Sequence, residues 1–462
     1  MKISSVKKSE IDKTDLRVDA SYHLSDGRLH HAIVTRNPFK NLPLKEVTER
    51  IFSGNIFKRL YVADDQVGYH YLTASDMAKS DIETGKYISK KYTSQYKNLK
   101  IEKDWILLSC SGTLGNTAYT SADYEKFVGT HDLIRIIPAK DKIYSGYLYA
   151  FLSCKYGYSL LTQFGFGGVV KHIEPHHIEN IPIPILPEVI QQRIHNLITE
   201  ASQLRVEANK LLKEAVEIMD EKLFKFSTAS TSSSKTKNYS VTIELLKTHN
   251  NRLDATYDAS WFDSFYSKLE RANIQTRTVS ELSQKVFTPS IFKRVRTDNP
   301  SLGIPFLSGS ELLSAFPKMD SFLSKRMSNI NSYILKNGWL AVQDAGTIGY
   351  VAYIHKYLDK ISATNNLIRI IPKEEKNNNP YIFTFLKSKT GQKILKSFEF
   401  GSVQKHIDNH QISGLRIPIF SDIYETVTTK TLASMEFSAT ACFNEKTAID
   451  LIEKEIDQWQ QL

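Results

Sequence analysis

Apolar and polar residues alternate with a helical period over residues 188–226, a stretch without proline or glycine. The apolar positions are spaced alternately four and three residues apart: Ile190, Ile194, Leu197, Ala201, Leu204, Ala208, Leu211, Ala215 and Ile218. A seam this narrow, flanked by charged side chains, is typical of a helix that packs against one partner helix. At 1.5 Å per residue, the predicted helix is about 60 Å long.

The C-terminal end of the chain repeats this pattern, with one slip near Lys446. Its apolar positions are Leu432, Met435, Ala439, Cys442, Ile449, Ile452, Ile456 and Trp459. Each of the two helices needs one partner, and the chain itself supplies it. We therefore expect the two helices to pair as an antiparallel coiled coil.

The regions before the two helices have the pattern of short strands and short helices. Four apolar runs bounded by Gly, Asn, Asp and Pro predict strands, at residues 105–109, 133–137, 339–343 and 367–371. Helical patches such as residues 147–161 lie between them. An Ile-Pro segment, which disfavours helix, precedes each long helix. This mixture predicts an α+β (mixed α/β) fold.

The chain contains the same domain twice. Ile56-Phe57-Lys58-Arg59 recurs 235 residues later as Ile291-Phe292-Lys293-Arg294, and residues 133–138 recur verbatim at 367–372. The Arg-x-Asp-Ala-x-Tyr opening at 17–22 recurs at 252–257, and the Gly-Thr-x-Gly turn at 112–115 recurs at 346–349. A repeat of this length is a whole domain rather than a solenoid unit.

The predicted organisation is two tandem, similar domains, each followed by a long helix. The first domain is placed at residues 1–186 and its helix at 187–226. A flexible, Ser/Thr-rich linker follows at 227–237. The second domain is placed at 238–420 and its helix at 421–462.

Composition narrows the class of protein. The chain has 462 residues, 41% of them hydrophobic and 24% charged, which favours globular domains over disorder. The net charge of +10 is a modest indication of a polyanionic partner such as nucleic acid. Cys110, Cys154 and Cys442 have no zinc-type spacing, and no apolar run approaches the length of a membrane span. We expect a soluble cytoplasmic protein without a signal peptide or a metal site.

The duplication tests catalytic hypotheses. The first copy contains the residue types of a hydrolase constellation: Ser109, Ser111, His131 and Asp132. The second copy has Gln343, Asn365 and Asn366 in place of Ser109, His131 and Asp132. The chain also lacks a nucleophile elbow, a P-loop and a dinucleotide-binding glycine motif. The sequence therefore favours a protein that is not itself an enzyme.

Each copy contains one histidine pair with the same spacing, His172-x3-His176 in the first and His406-x3-His410 in the second. On a helix, this spacing places both imidazoles on one face, as a metal pair needs. The segments also resemble one-turn helix starts beside Lys171 and Lys405, where free backbone N–H groups favour a phosphate contact. Structural capping and packing is the favoured interpretation, and the metal pair is the least favoured.

The basic pairs Lys58-Arg59 and Lys293-Arg294 each follow a phenylalanine in a predicted loop. A charge pair of this kind is commonly only a solvated surface. Its retention in both copies of a basic protein makes contact with DNA an equal alternative, because arginine contacts guanine edges or phosphate and lysine releases counterions.

Motifs at the end of each domain point to a family. The second copy has Gly401-Ser-Val-Gln-Lys-His-Ile407 followed by Ile417-Pro418, and the first has the related segment 167–173 followed by Ile183-Pro184. Leu186-Pro-Glu, with two glutamines three residues on, then leads into the first helix. Together with the repeated opening and turn motifs, the chain resembles the specificity (S) subunit of type I restriction–modification systems.

This resemblance implies two target-recognition domains that read the two halves of a bipartite double-stranded DNA target, at a gap set by the helices. It implies docking of methyltransferase subunits, two in number, which carry S-adenosylmethionine and methylate adenine N6; restriction/translocase subunits join through them. No cofactor is expected in this chain. Expected DNA contacts are, first, Lys58, Arg59, Lys293 and Arg294 and, second, Lys171, His172, Lys405 and His406.

Three alternatives stay open. The chain could be a stand-alone DNA-binding or anti-restriction protein built from two recognition domains. It could be a duplicated enzyme that uses the histidine pairs, or a coiled-coil scaffold that binds no nucleic acid. Base-reading residues are expected where the two copies differ, because two half-sites normally differ in sequence.

Overall fold

A computed structural model describes residues 5–11, 18, 20–94, 96–165, 171–227, 259–346, 348–401 and 403–461. Outside these residues lie the predicted linker from residue 228 onward, Thr347 and Ser402. The Arg-x-Asp-Ala-x-Tyr opening of the second copy also lies outside them, as do residues 17 and 19 of the opening in the first copy. The chain divides into two compact units. Unit 1 comprises Met1–Val206, Ser314–Phe316 and Thr440–Leu462; unit 2 comprises Glu207–Leu313 and Pro317–Ala439.

Over its described residues, unit 1 combines ten strands with eight helices that begin in it, the last of which continues into unit 2. Its strands are β1 (Lys40–Pro43), β2 (Thr48–Ser53), β3 (Tyr61–Val62), β4 (Gly68–Leu72), β5 (Tyr87–Ser89), β6 (Ile106–Ser109), β7 (Thr117–Tyr119), β8 (Phe127–Gly129), β9 (Leu133–Pro138) and β10 (Pro182–Ile185). Its helices are α1 (Lys8–Ile11), α2 (Ala20–His23), α3 (Asp26–Thr35), α4 (Tyr96–Leu99), α5 (Ser145–Ser153), α6 (Lys155–Thr162), α7 (Pro175–Ile178) and α8 (Glu188–Ser227).

Unit 2 repeats this plan within its described residues. Its strands are β11 (Thr276–Thr278), β12 (Ser283–Phe287), β13 (Gly303–Leu307), β14 (Phe322–Ser324), β15 (Leu340–Gln343), β16 (Val351–Tyr353), β17 (Ser362–Ala363), β18 (Leu367–Pro372) and β19 (Arg416–Pro418). The helices that begin in it are α9 (Ala259–Arg271), α10 (Val279–Leu282), α11 (Asn379–Lys387), α12 (Lys389–Ser397), α13 (Asn409–Ser413) and α14 (Ser421–Gln458), the last of which continues into unit 1.

The sheets of the two units share their topology, except that within the described residues the second sheet has four strands in unit 1 and three in unit 2. An antiparallel sheet runs in the order β2-β9-β6-β7 in unit 1 and β12-β18-β15-β16 in unit 2. A second sheet, in the order β3-β5-β4-β8 or β14-β13-β17, contains one parallel pair. The Ile-Pro segments pair as β10 with β1 and β19 with β11. The prediction of two tandem α+β domains, each followed by a long helix, is confirmed.

The helical patch predicted at residues 147–161 is two helices rather than one. The backbone is extended at Cys154, which ends α5 and precedes α6. A Cβ at Gly157 would lie 2.0 Å from the Phe151 carbonyl oxygen, so only glycine allows this close crossing. Gly391 occupies the same position in unit 2, 2.0 Å from the Phe385 carbonyl oxygen.

The two long helices pair in antiparallel order. Within unit 2, Ser434 donates to the Ala208 carbonyl oxygen at 2.7 Å, Lys430 pairs with Glu214 at 2.6 Å and Lys222 pairs with Asp422. Within unit 1, Ile194 and Ile198 of α8 and Ile452 and Ile456 of α14 belong to one apolar core. Each helix therefore carries part of the core of both units.

One seam position was predicted wrongly. Leu432 is 43% exposed, and Thr431 and Ser434 are buried in its place. The reason is local hydrogen bonding: the Thr431 hydroxyl bonds to the hydroxyl of Thr384 at 2.7 Å, and Ser434 donates to the α8 backbone. A buried hydroxyl that has a hydrogen-bond partner can take the place of an apolar side chain in the interface between the helices.

Candidate nucleic-acid interface

The segment Ile56-Phe57-Lys58-Arg59 forms a loop between β2 and β3, which belong to different sheets of unit 1. Phe57 turns inward, with its ring 6.1 Å from that of His131. Arg59 turns back toward the domain, where its Nη2 donates to Asp132 Oδ2 at 3.0 Å and to Thr130 Oγ1 at 3.3 Å. Lys58, between these two anchored residues, is exposed.

Unit 2 builds the same loop after β12. Phe292 stacks on Tyr333 with ring centroids 3.8 Å apart, and Arg294 Nη2 donates to Thr364 Oγ1 at 3.3 Å. Lys293 is exposed. We call residues 56–60 and 291–295 the tips of units 1 and 2. The repeated sequence therefore folds into a repeated structure, with the lysine outward and the arginine held against a threonine.

The two arginines differ in electrostatic environment. Asp132 forms an ion pair with Arg59, whereas Asn366 stands at the equivalent position of unit 2. Arg294 instead lies over the ring of Phe306, 5.2 Å from its centroid, and forms no ion pair within the described part of the chain. The charge of Arg59 is therefore offset by a neighbouring carboxylate, whereas that of Arg294 is not.

A buried arginine in each unit fixes the backbone segment to which the tip arginine is anchored. Arg135 is fully buried and donates to the carbonyl oxygens of Leu99, Gly129 and Leu133 at 2.8, 3.0 and 2.9 Å. Burial lowers its pKa to about 10, so it stays charged at neutral pH. Its bonds fix the segment that carries Thr130, to which Arg59 is anchored.

Arg369 does the same in unit 2, with donor bonds to the carbonyl oxygens of Ala363, Thr364 and Leu367. These arginines lie inside the verbatim repeat of residues 133–138 and 367–372, for which the sequence pattern predicts only a strand. A charged residue within an apolar strand in both copies was the available signal.

The second predicted set lies in extended backbone. His172 forms an isolated β-bridge with Ser111, and His406 forms one with Ala345. Lys171 and Lys405 are exposed beside them. The backbone N–H groups of Ile173 and Ile407 donate to the backbone carbonyl oxygens of Cys110 and Asp344, each at 2.9 Å. These bonds hold the strand-like segment next to the Gly-Thr-x-Gly turn.

The helical interpretation of the histidine pairs was wrong. Helices α7 and α13 begin at Pro175 and Asn409, after His172 and His406, so neither pair lies on one helix face. Among the described residues, no group of three or more His, Cys, Asp or Glu residues could hold a metal ion.

The two short helix starts do not offer a phosphate site either, because an acidic residue stands at each N-cap. Asp408 Oδ1 accepts the backbone N–H of Gln411 at 2.8 Å, and Glu174 is at the N-cap of α7. A carboxylate at this place occupies the position that an anion would take. Lys171 and Lys405 stay predicted DNA contacts on the strength of their charge and exposure, and His172 and His406 stay predictions.

Aromatic and basic residues on and beside the second sheet were not predicted from the sequence. In unit 1, Tyr69 and Tyr96 stack with centroids 4.7 Å apart, and Lys91 lies 5.3 Å from the ring centroid of Tyr92. Tyr61 is 54% exposed.

The equivalent positions of unit 2 differ. Arg296 replaces Tyr61, and its guanidinium lies 5.6 Å from the Phe306 centroid while Nη1 donates to Ser321 Oγ at 2.5 Å. Met327 replaces Tyr92, and the basic pair Lys90-Lys91 becomes Lys325-Arg326. Both copies therefore have a basic pair at this place, but the side chains at the positions of Tyr61 and Tyr92 differ between them.

Within the described residues, none of the helices combines the length and apolar character of a membrane span.

Comparison with known proteins identifies a family whose model matches this chain. A family model for the type I restriction modification DNA specificity domain matches residues 37–217 and 272–422. A comparison with curated proteins found no match.

Solved structures similar to the chain include the S subunit of a type I restriction-modification system from M. genitalium, at 13% identity and a TM-score of 0.33, covering 92% of this chain and 93% of that one. The HsdS subunit from Thermoanaerobacter tengcongensis aligns at 11% identity and a TM-score of 0.29, covering 91% and 96%. At such scores the structural matches carry no weight of their own, and the family match rests on sequence.

Proposed function

Because the chain belongs to the type I restriction–modification DNA specificity family, we propose that each of its two domains reads one half of a bipartite double-stranded DNA target. The family match to both halves of the chain carries this proposal. The repeated tips support it, since each presents an exposed lysine beside an arginine held in place by a threonine. Lysine and arginine neutralise phosphates and supply most of the affinity for DNA.

Long helices α8 and α14 are proposed to set the gap between the two half-sites. They comprise 40 and 38 residues, and each contributes to both units. Half-sites read on one face of a duplex are separated by about one helical turn, ~34 Å, or a multiple of it. Continuous helices of this length are stiff enough to hold such a distance.

Methylation is proposed to be carried out by partner subunits that dock on the helices. Two methyltransferase subunits would bind S-adenosylmethionine and flip the target adenine for methylation at N6, as enzymes acting on a base within a duplex must. Restriction/translocase subunits would join through them. This chain would supply recognition and no chemistry.

Methylome sequencing of cells that carry the complete system tests the proposal. We expect one bipartite motif with methylated adenine in each half. A variant with one heptad inserted into α8 and one into α14, at facing positions, should methylate the same half-sites at a longer gap. A motif without a gap, or an unchanged gap in the inserted variant, would contradict it. Methylation without this chain would instead favour a stand-alone DNA-binding role.

A further inference from the structure

Each tip holds an aliphatic side chain out into solvent. Ile56 is 85% exposed and Ile291 is 89% exposed. A second aliphatic residue follows at the other end of each tip: Leu60 is 43% exposed and Val295 is 47% exposed. Single exposed aliphatic residues are ordinary on protein surfaces. Here the same residue is exposed at the same place in both copies.

The outward position of these isoleucines follows from how the tips are tethered. On one side, Phe57 and Phe292 turn inward against His131 and Tyr333. In the middle, the arginines bond to threonine hydroxyls.

At the far end, the backbone N–H of Ser89 donates to the Leu60 carbonyl oxygen at 2.9 Å, and that of Ser324 donates to the Val295 carbonyl oxygen at 2.8 Å. Three tethers repeated in both copies hold the loop in one conformation. The exposed isoleucine is thus a fixed feature of the fold, and most of its surface does not pack against the domain that carries it.

We propose that Ile56 and Ile291 are apolar DNA contacts that enter a groove beside the phosphates bound by Lys58 and Lys293. The inference rests on the proposed function and adds the chemistry of the contact. Apolar side chains meet thymine methyl groups in the major groove or wedge between base steps in the minor groove. Either contact contributes affinity by burying apolar surface and releases no counterions.

Charge favours DNA over a protein partner as the occupant of this surface. Lys58 and Arg59 follow Ile56 closely in the sequence, and Lys293, Arg294 and Arg296 follow Ile291. Interfaces with DNA are much more positively charged than interfaces between proteins, whose centres are depleted in lysine.

Salt dependence separates an apolar contact from a charged one. The experiment measures binding of the complete complex to a fluorescent duplex that carries the methylome-defined target, at several salt concentrations. The Ile56→Ser/Ile291→Ser variant should bind about 10-fold more weakly at every concentration, with the slope of log K against log salt unchanged. The Lys58→Gln/Lys293→Gln variant should instead lose about two units of slope in magnitude.

Leu29→Ser and Leu302→Ser are the controls. Leu29 in unit 1 is 61% exposed and Leu302 in unit 2 is 50% exposed, and both lie outside the tips. They should bind like the wild type. An isoleucine variant with wild-type affinity would overturn the inference. So would a variant that fails to assemble with the methyltransferase subunits but whose assembled fraction binds DNA normally, because the tips would then contact protein. If the wild-type complex showed no salt-dependent binding, the proposed function itself would fail.

Discussion

Arg205 and Glu445 form a buried ion pair between the two long helices, with Nη2 2.5 Å from Oε2. The Glu445 side chain is 1% exposed, and its other oxygen accepts the Tyr149 hydroxyl at 2.5 Å. The guanidinium also donates to the Ala315 carbonyl oxygen at 3.3 Å. The equivalent positions of the other copy hold Ala439, Leu211 and Phe383, so this polar cluster exists in one half of the repeat only.

Removing one partner of this pair should destabilise the protein strongly. Arg205→Ala leaves a buried carboxylate without its counter-charge, and we expect the free energy of unfolding to fall by about 3–5 kcal/mol. The triple variant Arg205→Ala/Glu445→Leu/Tyr149→Phe introduces the residues of the other copy and should regain most of that loss. Urea unfolding followed by circular dichroism measures both. A triple variant as unstable as the single one would show that the apolar replacement does not pack.

Neutralising Asp132 should strengthen DNA binding. Asp132 pairs with Arg59 and offsets its charge, whereas Asn366 stands at the equivalent place in unit 2. We expect Asp132→Asn to bind target DNA about 3- to 10-fold more tightly at low salt and to increase the magnitude of the salt slope by about one.

The reverse change, Asn366→Asp, should weaken binding and reduce the slope. Fluorescence anisotropy titrations of the assembled complex give both quantities. If the two substitutions act in the same direction, Arg59 and Arg294 do not contact DNA.

Exchanging the residues that differ between the two second sheets should change the half-sites. Tyr61 and Arg296 occupy equivalent, exposed positions, and arginine can contact guanine O6 and N7 together. Arg296→Tyr is expected to relax the preference at one base pair of the unit 2 half-site, by about 1–3 kcal/mol. Tyr61→Arg should alter the unit 1 half-site. Methylome sequencing of each variant reads out the changed position, and an unaltered motif in both would exclude these residues as base readers.

Asp344 should make stability depend on pH. Burial raises its pKa to about 6, against opposing effects of His406 and Arg369, and its Oδ1 has no hydrogen-bond partner within the described structure. The folded protein therefore holds this proton more tightly than the unfolded chain, whose carboxyl ionises near its ordinary value of 3.8. The contribution of Asp344 to the free energy of unfolding is fullest below about pH 4 and declines as pH rises to about 6.

Asp344→Asn removes this decline. The stability of the variant relative to the wild type should increase by on the order of 1–2 kcal/mol between pH 4 and pH 7. Asp344→Cys, which introduces the residue found at Cys110 in the first copy, should behave similarly. Thermal unfolding across this pH range checks the difference, and parallel curves for variant and wild type would refute it.

The sequence predicted those parts of the fold that follow from periodicity and repetition. The heptad spacing places α8 within one residue of its observed ends, because a long apolar seam has few other solutions. Leu432 was misplaced because Thr431 and Ser434 find hydrogen-bond partners that only the folded chain supplies.

Candidate residues were harder to rank from sequence. Lys58 and Lys293 are exposed as a DNA contact requires, but the anchoring of Arg59 depends on Thr130 and Asp132, more than 70 residues away. The acidic caps at Glu174 and Asp408 show that proximity of histidine to a helix start does not make an anion site. Arg205 and Glu445 escaped notice because a heptad analysis counts apolar positions only.

The antiparallel pairing of α8 with α14 is an arrangement that two identical half-length chains would form as a symmetric homodimer. The Arg205–Glu445 ion pair would be absent from such a homodimer. If two copies of the first half paired through their helices, each Arg205 would meet Leu211 and bury a lone guanidinium. The Arg205–Glu445 pair therefore favours pairing of the two different halves within one chain over pairing of two copies of the first half.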